Sequence, residues 1–371
     1  MTAIALADLD PTGHTSFSFY DLVPGNGVKV QGAPAASDAL ALAARLQQTD
    51  LLEASDQEID HFAALLVTHG HALPPHPEFR ALADASAHGF AALIGNEAMR
   101  PRRMRLTRLS LMLRVVLDRT ESTAGVLSDT TLPCKSPWDF LANNGSGTDG
   151  WAATCDEANL RRFDAGLCVW SRRLGLPTQL DRLGDGLWVG SHYSNGGFMV
   201  SNIESAEPQV LEISHHCPLV LAYDFGDERY ALDSQGTLST LVANQPADAL
   251  LRLPGTIHRA RVIGETLYAF DWGQACTGFR VDLQTLEFFT FRTGDIIVCN
   301  DICAAGDSLY GICKLQGRVF KMTQDWTPVS TRLGAGTGAG QLLDPIMIRC
   351  DEKVLSVVNW FSSRLVQLPV F

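Results

Sequence analysis

The stretch IHRARVIGETLYAFDWGQACTGFRVDL, residues 257–283, divides into three short apolar runs separated by polar turns. Ile257 to Ile263 is the first, Gly264-Glu265 the turn, and Thr266 to Phe270 the second, centred on Tyr268. A third run follows Gly278. Runs of this length, rich in β-branched and aromatic residues and bounded by turn formers, read as strands.

Five other segments repeat the pattern, beginning near Ser136, Leu176, His216, Cys299 and Asp344. Their second strands begin near Trp151, Trp188, Tyr230, Tyr268, Tyr310 and Leu355, in steps of 37, 42, 38, 42 and 45 residues. That period is the length of one four-stranded propeller blade. A single blade cannot bury both of its faces, whereas a closed ring of blades does. The expected fold is therefore mainly β, a six-bladed β-propeller over 123–371 with an N-terminal α-helical region over 1–122. The chain ends after the third strand of the sixth blade. The fourth strand must come from before Pro137, and the candidates are Leu109–Leu117 or the AGVLS run near Val126.

The last segment, RLGAGTGAGQLLDPIMIRCDEKVLSVVNWFSSRLVQLPVF, resembles an NHL repeat. Gly334, Gly336, Gly340, Gln341, Pro345 and Arg364 fall on that motif's positions. Asn359 stands where the family usually has Asp, and Ser362-Ser363 where it often has Asn. The resemblance implies an NHL-like propeller. It leaves function open, because such propellers include scaffolds and enzymes.

Two glycine-rich stretches look like phosphate cradles. NNGSGTDG, 143–150, satisfies G-x-G-x-x-G, but a dinucleotide fingerprint needs a helix after it, and here a strand-like WAATC follows. GAGTGAG, 334–340, reads as a connection between blades. No nucleotide cofactor is expected. Asp149 beside the first loop is one carboxylate, too few for a calcium site.

Before residue 120 the texture is helical. Ser37 is placed to cap a run with Leu40, Ala43 and Leu46 on one face. Ser55-Asp56-Gln57-Glu58 is a capping box, with Gly70 as a stop. Pro77 opens a third run that Gly95 ends. Residues 100–119 fit a bulged strand or a helix. Their arginines suit an anionic ligand or a face turned to the acidic remainder of the chain.

The chain has 371 residues, 46% hydrophobic and 19% charged, enough to bury a full core. A net charge of -12 argues against nucleic acid as a partner. No apolar run of about 18 residues suggests a membrane span, and the N-terminus has no basic leader. The nine cysteines sit mostly in apolar runs, the pattern of reduced thiols in a cytoplasmic, bacterial-type protein.

In a propeller the first strand of each blade lines the channel, so polar residues at the starts of those strands are the candidates. They are Ser136 and Asp139 in blade one, and His215 and His216 before Cys217-Pro218 in blade three. Blade four offers His258, Arg259 and Arg261, blade five Asn300 and Asp301, and blade six Asp344. His216, His258 and Asp301 come from consecutive blades and form the expected divalent-metal set, for zinc, iron or magnesium. HHCP is similar to the histidine-bearing strand entries of the peptidyl-hydroxyglycine amidating lyases, which implies a catalytic zinc. Gluconolactonase-like propellers instead hold a divalent metal with Glu, Asn and Asp.

The leading expectation is a lyase or hydrolase acting on a small molecule or modified peptide at the channel mouth. His258, Arg259 and Arg261 are its catalytic candidates, the arginines pairing an anionic group. The competing expectation is a non-catalytic scaffold that binds a protein partner. A third places metal chemistry in the helical half, where Glu58 and His61 form E-x-x-H beside His69, His71, His76 and His88. Cys299 and Cys303 should share one strand face, with Cys313 nearby. Trp138, Trp272 and Trp360 follow strand ends and are candidates to line a ligand pocket.

Overall fold

A computed structural model describes residues 36–371 apart from 70–72, 94–95, 119–124, 135–136, 144–146, 155–157, 192–193, 272–276, 293–298, 337–338, 352 and 361. Among the described residues four α-helices come first: α1 (Ala36–Gln48), α2 (Asp56–His69), α3 (Pro77–Leu93) and α4 (Arg100–Asp118). Among the described residues, twenty-four strands follow, β1 (Ser128–Thr131) to β24 (Arg364–Pro369). They form six four-stranded antiparallel sheets in a ring. The innermost strands of blades I to VI are β2 (Pro137–Ala142), β6 (Gln179–Leu183), β10 (Leu219–Phe225), β14 (Ile257–Ile263), β18 (Cys299–Ala305) and β22 (Pro345–Asp351).

The ring closes with β1. It pairs antiparallel with β24 and supplies the outer strand of blade VI. Of the two candidates for this role, the AGVLS run reaches the strand, and Leu109–Leu117 lies in α4. Arg364 Nη1 donates to Asp129 Oδ2 at 2.6 Å, and the Gly340 N–H donates to the same oxygen at 2.6 Å. Both ends of the propeller are thus fastened at one carboxylate.

The helices begin as the residues dictate, with one exception. At the head of α2 the Ser55 hydroxyl accepts the Glu58 N–H, the N-cap bond of a capping box, and donates to the Glu58 carboxylate. Pro77 opens α3. Ser37 lies inside α1, which starts one residue earlier than the capping assignment. Gly70 and Gly95 lie outside the described residues. Residues 100–118 are helical because Leu106, Leu109, Leu113, Val116 and Leu117 recur at helical spacing and are all buried. Leu111 and Met112 are buried too, which blurs the period and makes the stretch look strand-like. The arginines of α4 turn to acids on the neighbouring helices: Arg102 to Asp56, Arg105 to Asp60 and Arg114 to Asp84.

Asp118, at the end of α4, joins helices to propeller. Arg318 donates to one of its oxygens at 3.2 Å and the Ala335 N–H to the other at 3.1 Å.

The glycine-rich loop at 143–150 joins β2 to β3 (Gly150–Thr154), so a strand follows it. A Cβ on Gly150 would lie 2.2 Å from the Leu141 carbonyl oxygen, so close strand pairing explains that glycine. No helix among the described residues is long and apolar enough to cross a membrane.

Asp129→Ala should lower unfolding stability by about 2–3 kcal/mol, because a largely buried guanidinium then lacks its counter-ion. Chemical denaturation followed by tryptophan fluorescence measures it, and a loss within error of zero would contradict the closure described.

Candidate functional site

Five of the six inner strands start alike, and β6 pairs without a shift. In β2, β10, β14, β18 and β22 the ladder shifts register just after the first residue, at Trp138, Val220, His258, Asn300 and Ile346. A bulge inserts one residue and re-aims those that follow. Asp139, Arg259 and Asp301 come directly after it in their strands, and Arg261 and Arg349 two residues later. Side chains two apart on a strand share a face, so these residues form two charged layers on the channel axis.

The layers neutralise each other. Arg261 grips Asp301 with two bonds of 2.8 Å, reaches Asp181 at 2.5 Å and Asp139 at 3.2 Å. Arg259 stands 3.4 Å from Asp139 and 3.5 Å from Asp301. Arg349 meets Asp139 at 2.9 Å. Three guanidinium groups thus face three carboxylates, and Asp139 and Asp301 have no exposed side-chain surface. Carbonyls take the remaining donors: Arg259 bonds Thr178 O and Ile346 O, and Gln179 bonds Ala260 O. Burial raises the Asp139 carboxyl, but Arg349, Arg261 and Arg259 outweigh it and hold the group at about 2. Asp181 is raised, by burial first, against the pull of Arg261.

A second group sits where the inner strands begin, which we term the entry mouth. His215, His216, Cys217 and Asp233 place ligand atoms all within 4.8 Å of one another. Three of them precede β10, and Asp233 ends β11 (Glu228–Asp233) opposite Leu219. The histidine rings lie 4.0 Å apart between centroids, and Cys217 Sγ is 3.4 Å from His215 Nδ1. Asp233 Oδ1 accepts the N–H groups of Gln235 and Thr237, which orients the carboxylate. Burial raises the Cys217 thiol to about 11, and Asp233 adds to the rise. His216 is exposed while Cys217 and Asp233 are buried, so the group opens to solvent through an imidazole.

Of the sequence candidates, His216 gathers with His215, Cys217 and Asp233. Asp301, Arg259 and Arg261 belong to the axial layers. His258 is a buried bulge residue at the entry mouth, with its ring 6.5 Å from Phe270. Asn300 is the corresponding residue of blade V. Asp344 is buried with Lys314 at 3.6 Å. Trp138 and Trp360 meet at the same mouth with tilted rings, 6.1 Å between centroids, while Trp272 and Ser136 lie outside the described residues. In the helices Glu58 is taken by Ser55 and by Arg45 at 2.9 Å. Among the described residues no helical group of metal ligands gathers. The His69 side chain and His71 lie outside them.

Sequence reading missed the roles of Asp181, Gln179 and Arg349, since their partners lie far away in the chain. It also missed Asp233 as a companion of HHCP, although the end of a second strand always faces the start of the first. Cys299 and Cys303 do not share a face, because the bulge at Asn300 reverses the alternation between them. Cys299 faces Cys313 across the ladder.

No protein-family model matches the sequence, and no curated protein sequence matches it. Solved structures overlap with this chain in part. The β-propeller domain of Myceliophteria thermophila Cps50 (Swd1) superposes with TM-score 0.45 and 12% identity, covering 65% of this chain and 98% of that one. Streptogramin B lyase gives 0.46 and 12%, covering 68% and 90%. Myxococcus xanthus glutaminyl cyclase gives 0.37 and 14%, covering 57% and 97%. At these identities the likeness is one of fold.

Asp139 carries a pH signature. Its folded value, about 2, lies below the unfolded value of about 3.9. The unfolded chain therefore binds more protons between these values, and stability falls as pH drops through that window. Asp139→Asn should be less stable at pH 7 and should lose less on going from pH 4 to pH 2 than the wild type. Urea unfolding at stepped pH reads both. A parallel acid slope in the two proteins would contradict the assignment.

Proposed function

We propose that the protein is a metal-dependent enzyme that cleaves a small molecule or a modified peptide at the entry mouth, by lyase or hydrolase chemistry. One observation carries the reading: two imidazoles, a thiol and a carboxylate with ligand atoms all within 4.8 Å. Zinc–nitrogen and zinc–sulfur bonds run about 2.0–2.3 Å, so tetrahedral ligand atoms stand roughly 3.3–3.8 Å apart. Small side-chain shifts suffice to close this group on one ion. The mixed nitrogen, sulfur and oxygen donors favour zinc over magnesium or calcium.

The reading keeps His216 from the sequence-derived set and replaces His258 and Asp301 by His215, Cys217 and Asp233. Using Asp301 as a ligand would strip Arg261 of its two shortest contacts to that carboxylate. A zinc ion in this group supplies a Lewis acid beside solvent. His258, at the start of the inner strand of the adjacent blade, is the candidate to move a proton there. Arg259 and Arg261 hold the axis and do not meet substrate. The NHL resemblance and a cytoplasmic setting with reduced thiols agree with this reading.

A scaffold for a protein partner is the second reading. The axial layers favour it, since they fill the channel in which a substrate would otherwise sit.

Metal analysis of untagged protein after zinc reconstitution and desalting tests the proposal. The expected result is close to one zinc per chain in the wild type, lost in His216→Ala and Cys217→Ser. Wild type that retains no zinc would overturn it. Because the thiol must lose its proton to bind, zinc affinity should fall about tenfold per pH unit on acidification for that one proton. Competition with a chromophoric chelator between pH 8 and pH 7 measures this.

A further inference from the structure

The opposite end of the channel, where the inner strands turn back, opens into a cavity of about 430 Å³. Its floor carries Arg261 and Arg349 from the axial layers, and its wall carries two thiols, Cys303 of β18 and Cys350 of β22. We propose that Cys303 and Cys350 form a reversible dithiol–disulfide couple in this cavity, with Cys350 as the thiol that a hydroperoxide attacks and Cys303 as its resolving partner.

Geometry places the two sulfurs together. β18 and β22 are adjacent inner strands that run in the same direction. Asp301 Oδ2 accepts the Ile348 N–H at 3.2 Å, which fixes the level of one strand against the other. Moving two residues along each strand repeats the relation and brings Cys303 to Cys350. Both side chains pack against the same apolar cluster between blades V and VI. The Cys303 thiol hydrogen-bonds the Cys350 sulfur.

The two thiols differ as such a couple requires. The hydrogen bond from Cys303 lowers Cys350, against burial and the Asp351 charge. Burial pushes Cys303 well up, and the bond it donates adds to that. A stabilised thiolate is the better nucleophile, and it reacts where solutes reach it. Among the described residues the other thiols lack this combination. Cys134, Cys217, Cys299 and Cys313 are buried, and Cys168 is exposed without a second thiol beside it.

The chemistry balances with one hydroperoxide. The Cys350 thiolate attacks the peroxide oxygen, forming S–O and breaking O–O, and hydroxide or alkoxide leaves with a proton. The Cys303 sulfur then gives up its proton and attacks Cys350, forming S–S and breaking S–O, and water leaves. Two thiols are oxidised by two electrons, and the peroxide is reduced. A dithiol reductant reverses the reaction. The new bond ties blade V to blade VI across the cavity wall, which narrows the space above Arg261 and Arg349. The site is independent of the proposed zinc group at the other mouth.

Peptide mass spectrometry of the zinc-reconstituted full chain, treated with stoichiometric hydrogen peroxide and then alkylated, tests the couple. The expected product links the Cys303 and Cys350 peptides, and dithiothreitol removes the link. In Cys303→Ser, dimedone should trap a sulfenic acid at Cys350, while Cys350→Ser should leave Cys303 unmodified. Cys168 is the internal reference, and Cys350 should oxidise several-fold faster. Linked peptides absent from the wild type, or Cys350 oxidising no faster than Cys168, would overturn the proposal.

Discussion

The buried charge layers on the propeller axis are the constraint on which the other features depend. Arg259, Arg261, Asp139 and Asp301 leave water together, with Asp181 and Arg349 partly exposed beside them, and the desolvation of each buried group is large enough to threaten the fold on its own. They persist because each guanidinium meets more than one carboxylate. Arg261 alone contacts Asp301, Asp181 and Asp139. Backbone carbonyls satisfy the remaining donors, so few hydrogen-bonding sites are wasted.

These contacts also set how the blades sit. Asp139, on blade I, accepts the Leu180 N–H of blade II at 2.9 Å. Asp301, on blade V, accepts the Ile348 N–H of blade VI in the same way. Arg259 spans from blade IV to carbonyls on blades II and VI. Apolar packing between blades is tolerant of small rotations, whereas a bidentate guanidinium contact is directional. The axis therefore acts on register and spacing more than on net stability. Apolar side chains of matched volume in its place would leave the stability of the ring much as it is and remove the geometric restraint.

Much of the fold is legible because its signals are local. An aromatic near the start of a second strand, a turn on each side and a repeat of about forty residues need no knowledge of distant contacts. Trp151, Trp188 and Tyr310 stand out in sequence because they fill the cores of their blades. The capping box at Ser55 is likewise complete within four residues. The charged axis is not legible in that way. Asp139 and Arg349 are partners 210 residues apart. The bulge that aims Asp139, Arg259 and Asp301 leaves no mark in the residues themselves, since Trp138, Val220, His258, Asn300 and Ile346 share no chemistry. Strict alternation consequently misplaces Cys303 relative to Cys299. Asp301 reads as a metal ligand only while Arg261 is assumed to face elsewhere.

Closing the axis divides the molecule's chemistry in two. The entry mouth holds His215, His216, Cys217, Asp233 and His258, and the exit mouth holds the cavity with Cys303 and Cys350. A solute cannot pass from one to the other through Arg259 and Arg261 without separating them from carboxylates that have no access to water. Each mouth is thus a separate compartment with its own donors. The entry group gathers two imidazoles, a thiol and a carboxylate. The exit group sets two thiols beside the guanidinium groups of Arg261 and Arg349. The same charges that fix the ring therefore also keep Cys217 at the entry mouth apart from Cys303 and Cys350 at the exit.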